Sequence, residues 1–305
     1  MASVGIAEEQ RQKPLQTTGV LDEFESFDVT PVIGREFPKA KLVDWLQAPN
    51  SDALLRDLAV TISERGVVFF RAQDGLTNDL QKELVLRLGN LTGRPKTSGL
   101  HIHPMLNSER DLGGDDPEIS TISSVQHRQL YNNGLPDRLS PKEQSKDEWH
   151  SDIAFEPVPA DYTSLRLVQL PKTGGDTLWA SGYELYDRLS EPYQAFLEKL
   201  TVTFEQPRFK NIADLSGFRL YEKARGAPEN TGSELKAIHP VVRTNPVTGW
   251  KSLFPVGGHV RHINGLTAEE SERLLDWFLD LLYHNHDLQV RLKWQNANDI
   301  GMYIK

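Results

Sequence analysis

Residues 148–180 read EWHSDIAFEPVPADYTSLRLVQLPKTGGDTLWA, and this stretch restricts the fold more than any other. Pro157 and Pro159 must end a strand and turn the chain, because proline cannot donate to a β-ladder. Thr163 to Leu170 then reads as a mostly apolar strand, and Gly174-Gly175 as a tight turn that needs glycine's backbone freedom. Within the same stretch His150 and Asp152 stand two apart. On a strand, residues at that spacing project from one face, so an imidazole and a carboxylate would point into one space. Two histidines and one carboxylate on one side of a metal, with open positions opposite, is the arrangement of non-haem Fe(II) oxygenases. The pair alone reads more readily as a strand-edge salt bridge or a surface pair.

The rest of the chain supplies short strands and interspersed helices. Residues 1–35 are polar and irregular and read as a flexible arm, leaving 36–305 as one domain. Leu54, Leu55, Leu58 and Ile62 mark an amphipathic helix over Ala53–Glu64, Arg65-Gly66 stops it, and Val67–Phe70 is a buried strand. Leu80, Leu84 and Leu88 line a second helix closed by Gly89 and Gly93. Ile119–Gln126 reads as a half-buried strand, residues 127–147 as a surface loop or lid, and 206–235 as an insertion loop over the site. Tyr183–Leu189 and Ser190–Leu200 read as helices. Ile238–Arg243 and Trp250–Val256 flank an Asn-Pro-Val-Thr-Gly turn and predict a hairpin. Thr267 to Glu270 is a capping box that opens a helix with Leu274, Phe278, Leu281 and Leu282 on its apolar face. Gln289–Trp294 and Asn298–Tyr303 are further strands.

Four pieces in this order, WHSD at 149–152, the proline turn, GGDTLWAS at 174–181 and HPVVRTNPVTGWKSLF at 239–254, resemble the TauD/TfdA family of Fe(II)- and 2-oxoglutarate-dependent dioxygenases. The likeness runs from about Arg65 to about Ile300. It implies a mostly β fold with flanking helices, a double-stranded β-helix of the cupin-like jelly-roll type. It implies Fe(II) held by His150 and Asp152, with O2 and 2-oxoglutarate as cosubstrates and Thr177 meeting the far carboxylate of the latter. His103, the second histidine of the His-Ile-His-Pro segment, stands where the family contacts a sulfonate, although a pair of loop histidines bonded to carbonyls is the competing reading. Leu106 and Lys146 replace a tyrosine and an asparagine of taurine-specific members, so the expectation is a small anionic substrate of the organosulfonate kind, with taurine itself disfavoured.

The family's third ligand, a histidine, and its carboxylate-binding arginines follow an Asn-Asp-Ile-like strand, and after Ile300 the residues Gly-Met-Tyr-Ile-Lys do not continue that pattern. The expectation is therefore a jelly roll with its C-terminal strands missing, open at an edge. His259, His262, His284 and His286 are considered as substitutes, but their order along the chain places them short of the ligand strand or at a helix end. A catalytically inactive jelly-roll protein that binds a ligand or partner stays open as the alternative.

Composition removes other classes. The formal net charge is −9 with no basic cluster, which disfavours nucleic acid. The chain has no cysteine, so thiolate metal sites, thiol nucleophiles and disulfide scaffolds are excluded. No signal-type segment or apolar span of about 20 residues is present, so no membrane is expected and the default is a cytoplasmic protein, with a homo-oligomer left open.

Overall fold

The computed structural model describes residues 14–106, 116–125 and 148–305. The chain begins with two short strands, β1 (Phe27–Asp28) and β2 (Arg35–Phe37), followed by helices α1 (Leu42–Gln47) and α2 (Ser51–Arg65). Over its described part the expected arm is fastened down: the amides of Thr18 and Gly19 both donate to Asp57, and Leu21 is buried. Gly66 ends α2 at φ +70°, a conformation that favours glycine. Strand β3 (Val67–Phe70) follows, and then helix α3 (Asn78–Leu91), whose first turn is capped by the Thr77 hydroxyl.

Strand β4 (Tyr162–Arg166) is shorter than the apolar run suggested, and β5 (Thr177–Ala180) follows the double-glycine turn. Helices α4 (Gly182–Asp187) and α5 (Glu191–Leu197) lead to β6 (Thr201–Glu205). The excursion expected as an irregular loop opens instead with a helix, α6 (Pro207–Ser216), because Phe209, Ile212 and Ala213 give it a buried face. Strands β7 (Lys236–Pro240), β8 (Val242–Thr244), β9 (Lys251–Leu253) and β10 (Val260–Ile263) come next. Helix α7 (Ala268–His284), with the predicted capping box, and strands β11 (Gln289–Leu292) and β12 (Ile300–Ile304) complete the chain.

One five-stranded sheet runs β1-β2-β3-β12-β4, with β12 antiparallel to both of its neighbours. Strand periodicity explains why β3 is apolar on both faces. Val68 and Phe70 pack with Trp45, Leu55 and Leu58 of the helices, while Val67 and Phe69 pack with Val290, Leu292 and Trp294 beside the β5–β11 ribbon. A second core joins the β10-β6-β7 sheet, the β8–β9 hairpin and α7 through Val202, Phe204, Leu253, Ile263 and Phe278. A third, smaller cluster of Met105, Phe155, Phe209, Ile212 and Leu220 sits under the 206–235 excursion. The start of β12 is set by Asp299, which bonds the Arg71 guanidinium and the amides of Ala72, Gln295 and Asn296.

Three expectations need correction. The strands expected to form one double-stranded β-helix are divided among four separate sheets, with no closed barrel among the described residues, in keeping with the expected open edge; β4 is bonded only to β12 and β8 only to β9. No strand forms over residues 119–125, because Ile122 and Val125 face solvent and find no partner; Gln126, Lys146 and the 127–147 loop lie outside the described residues. No strand carries His150 and Asp152 either: His150 makes one isolated bridge to Gly257, and the chain turns at once through Ile153, at φ +48°. Among the described residues no helix is long and apolar enough to cross a membrane.

Candidate active site

The turn, rather than strand alternation, brings the two motif side chains together. His150 Nε2 lies 3.1 Å from Asp152 Oδ1, and its Nδ1 lies 2.7 Å from the carbonyl oxygen of Glu148. A carbonyl only accepts, so the Nδ1 proton is fixed there and Nε2 is the nitrogen turned toward Asp152. A ring nitrogen donating to a backbone carbonyl behind the ligating nitrogen is the usual support of a metal-bound histidine. The hydrogen bond that Nε2–H can give to the Asp152 carboxylate raises the His150 pKa above the ordinary histidine value, because it favours the charged imidazolium.

Asp152 is held from its other side. Tyr303 on β12 donates its hydroxyl to Oδ2 at 2.9 Å, and the Lys305 ammonium stands 3.9 Å from the same oxygen. Burial opposes the charge, but Lys305, His150 and Tyr303 outweigh it and keep the carboxyl pKa far below the usual carboxylate range. Lys305 is itself buried, which lowers its pKa, against the pull of Asp152. The residues present fit two ligands of an Fe(II) site. Among the described residues no group of three His, Asp or Glu side chains converges as a complete metal site would.

One of the four histidines weighed as a substitute does come close. The His259 ring centre is 5.8 Å from that of His150 and 5.3 Å from Phe155. Gly257 makes this approach possible: at φ +92°, a Cβ there would lie 1.9 Å from the Trp149 carbonyl oxygen. By contrast His262 lies on β10, His284 at the end of α7, and His286 in the short turn after it.

His103 is placed on the neighbouring cluster, 5.2 Å from the Phe209 ring. Its Nδ1 accepts the amides of Met105 and Leu106, so its proton sits on Nε2, and burial pulls its pKa down to about 3. The preceding histidine is held by charges that the sequence reading missed. Glu156 receives Arg225 at 2.5 and 2.9 Å and His101 at 3.0 Å, with both charged side chains 1 % exposed. Arg225 also donates to the carbonyls of Tyr221 and Gly232, and Asn230 pairs with the backbone of Val158. The 221–232 segment is thereby locked to both the His101–His103 segment and the turn after Asp152. Glu156 carried a faint signal as a carboxylate inside an apolar run, and Arg225 carried none.

Thr177 is placed differently. It pairs with Leu292 in the β5–β11 ribbon, and its hydroxyl accepts the Trp294 indole N–H at 3.0 Å. A cleft of about 390 Å³ is lined by His150, Asp152 and Lys305 together with Leu178, Tyr183 and Arg243.

The sequence profile of the taurine catabolism dioxygenase TauD, TfdA family matches residues 25–302. The alpha-ketoglutarate-dependent dioxygenase btcD of Neocamarosporium betae is 50% identical over 299 residues, covering 96% of this chain and 86% of the relative. An alpha-ketoglutarate-dependent sulfonate dioxygenase of Saccharomyces cerevisiae is 31% identical over 274 residues, 88% of this chain and 57% of the relative. The crystal structure of a taurine dioxygenase from Burkholderia xenovorans superposes with a TM-score of 0.63 at 23% identity, over 92% of this chain and 79% of that one, so the fold is of the same cupin-like jelly-roll kind. The chain belongs to the TauD/TfdA family of alpha-ketoglutarate-dependent dioxygenases.

Proposed function

We propose that the chain binds Fe(II) through His150 Nε2 and the Asp152 carboxylate, and hydroxylates a small anionic substrate of the organosulfonate kind with 2-oxoglutarate and O2. The observation that carries this is the pairing of an imidazole whose tautomer is set by the Glu148 carbonyl with a carboxylate whose charge is held by its neighbours. When bound, the metal and 2-oxoglutarate supply the oxidising chemistry, and the protein supplies position and a dry pocket. Tyr303 anchors Oδ2 of Asp152 and so directs Oδ1 toward the side of His150. Thr177 is our assignment for a cosubstrate carboxylate: with its oxygen accepting from Trp294, its hydroxyl proton is left to donate. His103 is our assignment for the substrate anion, as a buried N–H donor. The sulfonate class is supported by the name of the Saccharomyces cerevisiae relative.

Anaerobic calorimetric titration with Fe(II) or Co(II) tests the ligand pair. His150→Ala and Asp152→Ala should each abolish metal binding, and unchanged affinity in both would remove the assignment. A ligand-binding protein without turnover is the second reading, favoured by the lack of a third converging ligand among the described residues. Succinate formed from 2-oxoglutarate in step with an alkanesulfonate excludes it.

A further inference from the structure

We propose that His259 is a specificity-determining residue that donates its Nε2–H to the anionic group of the substrate, beside the donor assigned to His103. This rests on the anionic-substrate reading above and names a second residue for it. Three observations place His259 there.

The first is position. The residue follows the Gly257–His150 bridge, and its own carbonyl accepts the Glu205 amide at 2.9 Å, so its backbone is fixed from both sides. Its ring stands at 81° to the His150 ring, 5.8 Å away, so it adjoins the imidazole that pairs with Asp152.

The second is the tautomer. The Gln206 side-chain amide approaches His259 Nδ1 at 3.0 Å, and an amide nitrogen can only donate. Nδ1 is therefore the acceptor and the ring proton lies on Nε2, where no described residue bonds it.

The third is the company it keeps. Phe155 stacks edge-on against His259 at 5.3 Å, Phe209 lies 5.7 Å from Phe155, and His103 lies 5.2 Å from Phe209. Two imidazoles with the same tautomer thus bracket one aromatic pair. The His259 N–H suits an oxygen of a compact tetrahedral anion, with Phe155 packed edge-on behind the ring to hold its orientation. A hydrogen bond to a charged group is worth roughly a 10- to 100-fold change in affinity.

The test is a titration of the full chain, metal-free and Co(II)-loaded, with butanesulfonate and with the uncharged butanesulfonamide. His259→Phe keeps a flat ring and should weaken butanesulfonate roughly 10- to 100-fold, change butanesulfonamide less, and leave Co(II) affinity within a few-fold. Gln206→Leu, which releases the tautomer without touching the ligand, should weaken butanesulfonate by a smaller factor. Long-range proton–nitrogen NMR should show the His259 proton on Nε2. Unchanged sulfonate affinity in His259→Phe, with affinity lost in His103→Phe, would overturn the role of His259 alone. Failure of the unaltered chain to bind butanesulfonate would overturn it together with the anionic-substrate reading. Loss of Co(II) binding in His259→Phe would make the residue an inner-sphere ligand and equally overturn it.

Discussion

Replacing Arg225 by Met should destabilise the protein by about 3–5 kcal/mol, the range for breaking a buried ion pair from one side. The reasoning starts from Glu156. Its carboxylate is 1 % exposed and has three donors, two from Arg225 and one from His101. Burial works against its charge, yet Arg225 and His101 hold its pKa below the ordinary glutamate value. Removing the guanidinium leaves a carboxylate in a closed, apolar surrounding with one neutral imidazole to bond. It also strips the Tyr221 and Gly232 carbonyls of their donor. Folded domains are stable by only about 5–15 kcal/mol, so this loss is a large fraction of the whole.

The double variant Glu156→Leu with Arg225→Met separates the two contributions. It removes both charges, and hydrophobic replacement of a buried pair is often neutral or stabilising. The two orphaned carbonyls and His101 remain, at about 1–3 kcal/mol for an unsatisfied buried group. The double variant should therefore be more stable than Arg225→Met, though below the unaltered chain. Urea denaturation reads this as a shift in midpoint at constant slope. A loss under about 1 kcal/mol in Arg225→Met, or a double variant less stable than the single, would show that the buried charges do not set the stability of this region.

Two further outcomes follow from the same geometry. Gly257→Ala should lower Co(II) affinity at least roughly tenfold as well as stability, because its Cβ would meet the Trp149 carbonyl at 1.9 Å and must push His150 aside; metal titration of a folded Gly257→Ala chain with unchanged affinity would refute the coupling. Stability should also fall as pH drops below about 6.5, because burial lowers the pKa values of His101, His103, His239 and His259. The unfolded chain takes up those protons first, so the stabilisation is complete above the unfolded value and is lost on acidification, at up to about 1.4 kcal/mol per pH unit for each such histidine. For His103 the decline continues toward about pH 3, while His150, whose pKa is raised, works in the opposite sense at higher pH. Equal urea midpoints at pH 7.5 and pH 5 would contradict it.

What the sequence disclosed depended on how far apart the interacting residues lie. His150 and Asp152 were legible because two residues separate them and the chemistry of their side chains is unambiguous, although the reason given, strand alternation, was not the one that operates. A turn through Ile153 at φ +48° brings them together, and nothing in the residue type Ile announces a left-handed backbone. Strands β3 and β12 were legible through their apolar runs, and the capping box of α7 through its local pattern. The apolar face of α6 was hidden within a polar stretch, and Ile122 and Val125 mimicked a strand that has no partner.

The supporting parts of the site could not be read because they are long-range pairings. Glu156 and Arg225 are 69 residues apart, Gln206 and His259 are 53 apart, and Tyr303 reaches Asp152 across 151. In each case the residue type permits dozens of surface roles, and only the fold decides that the charge is buried or the proton fixed. That division has a chemical consequence. The motif residues state which metal chemistry a family can perform, since ligand type is set by the local pair. What would distinguish one member's substrate from another's is the set of donors brought in from elsewhere, and the two imidazoles proposed for that role here have their protons placed by backbone amides in one case and by a glutamine in the other. A change at Gln206 would then alter what the site prefers while leaving every recognisable motif intact.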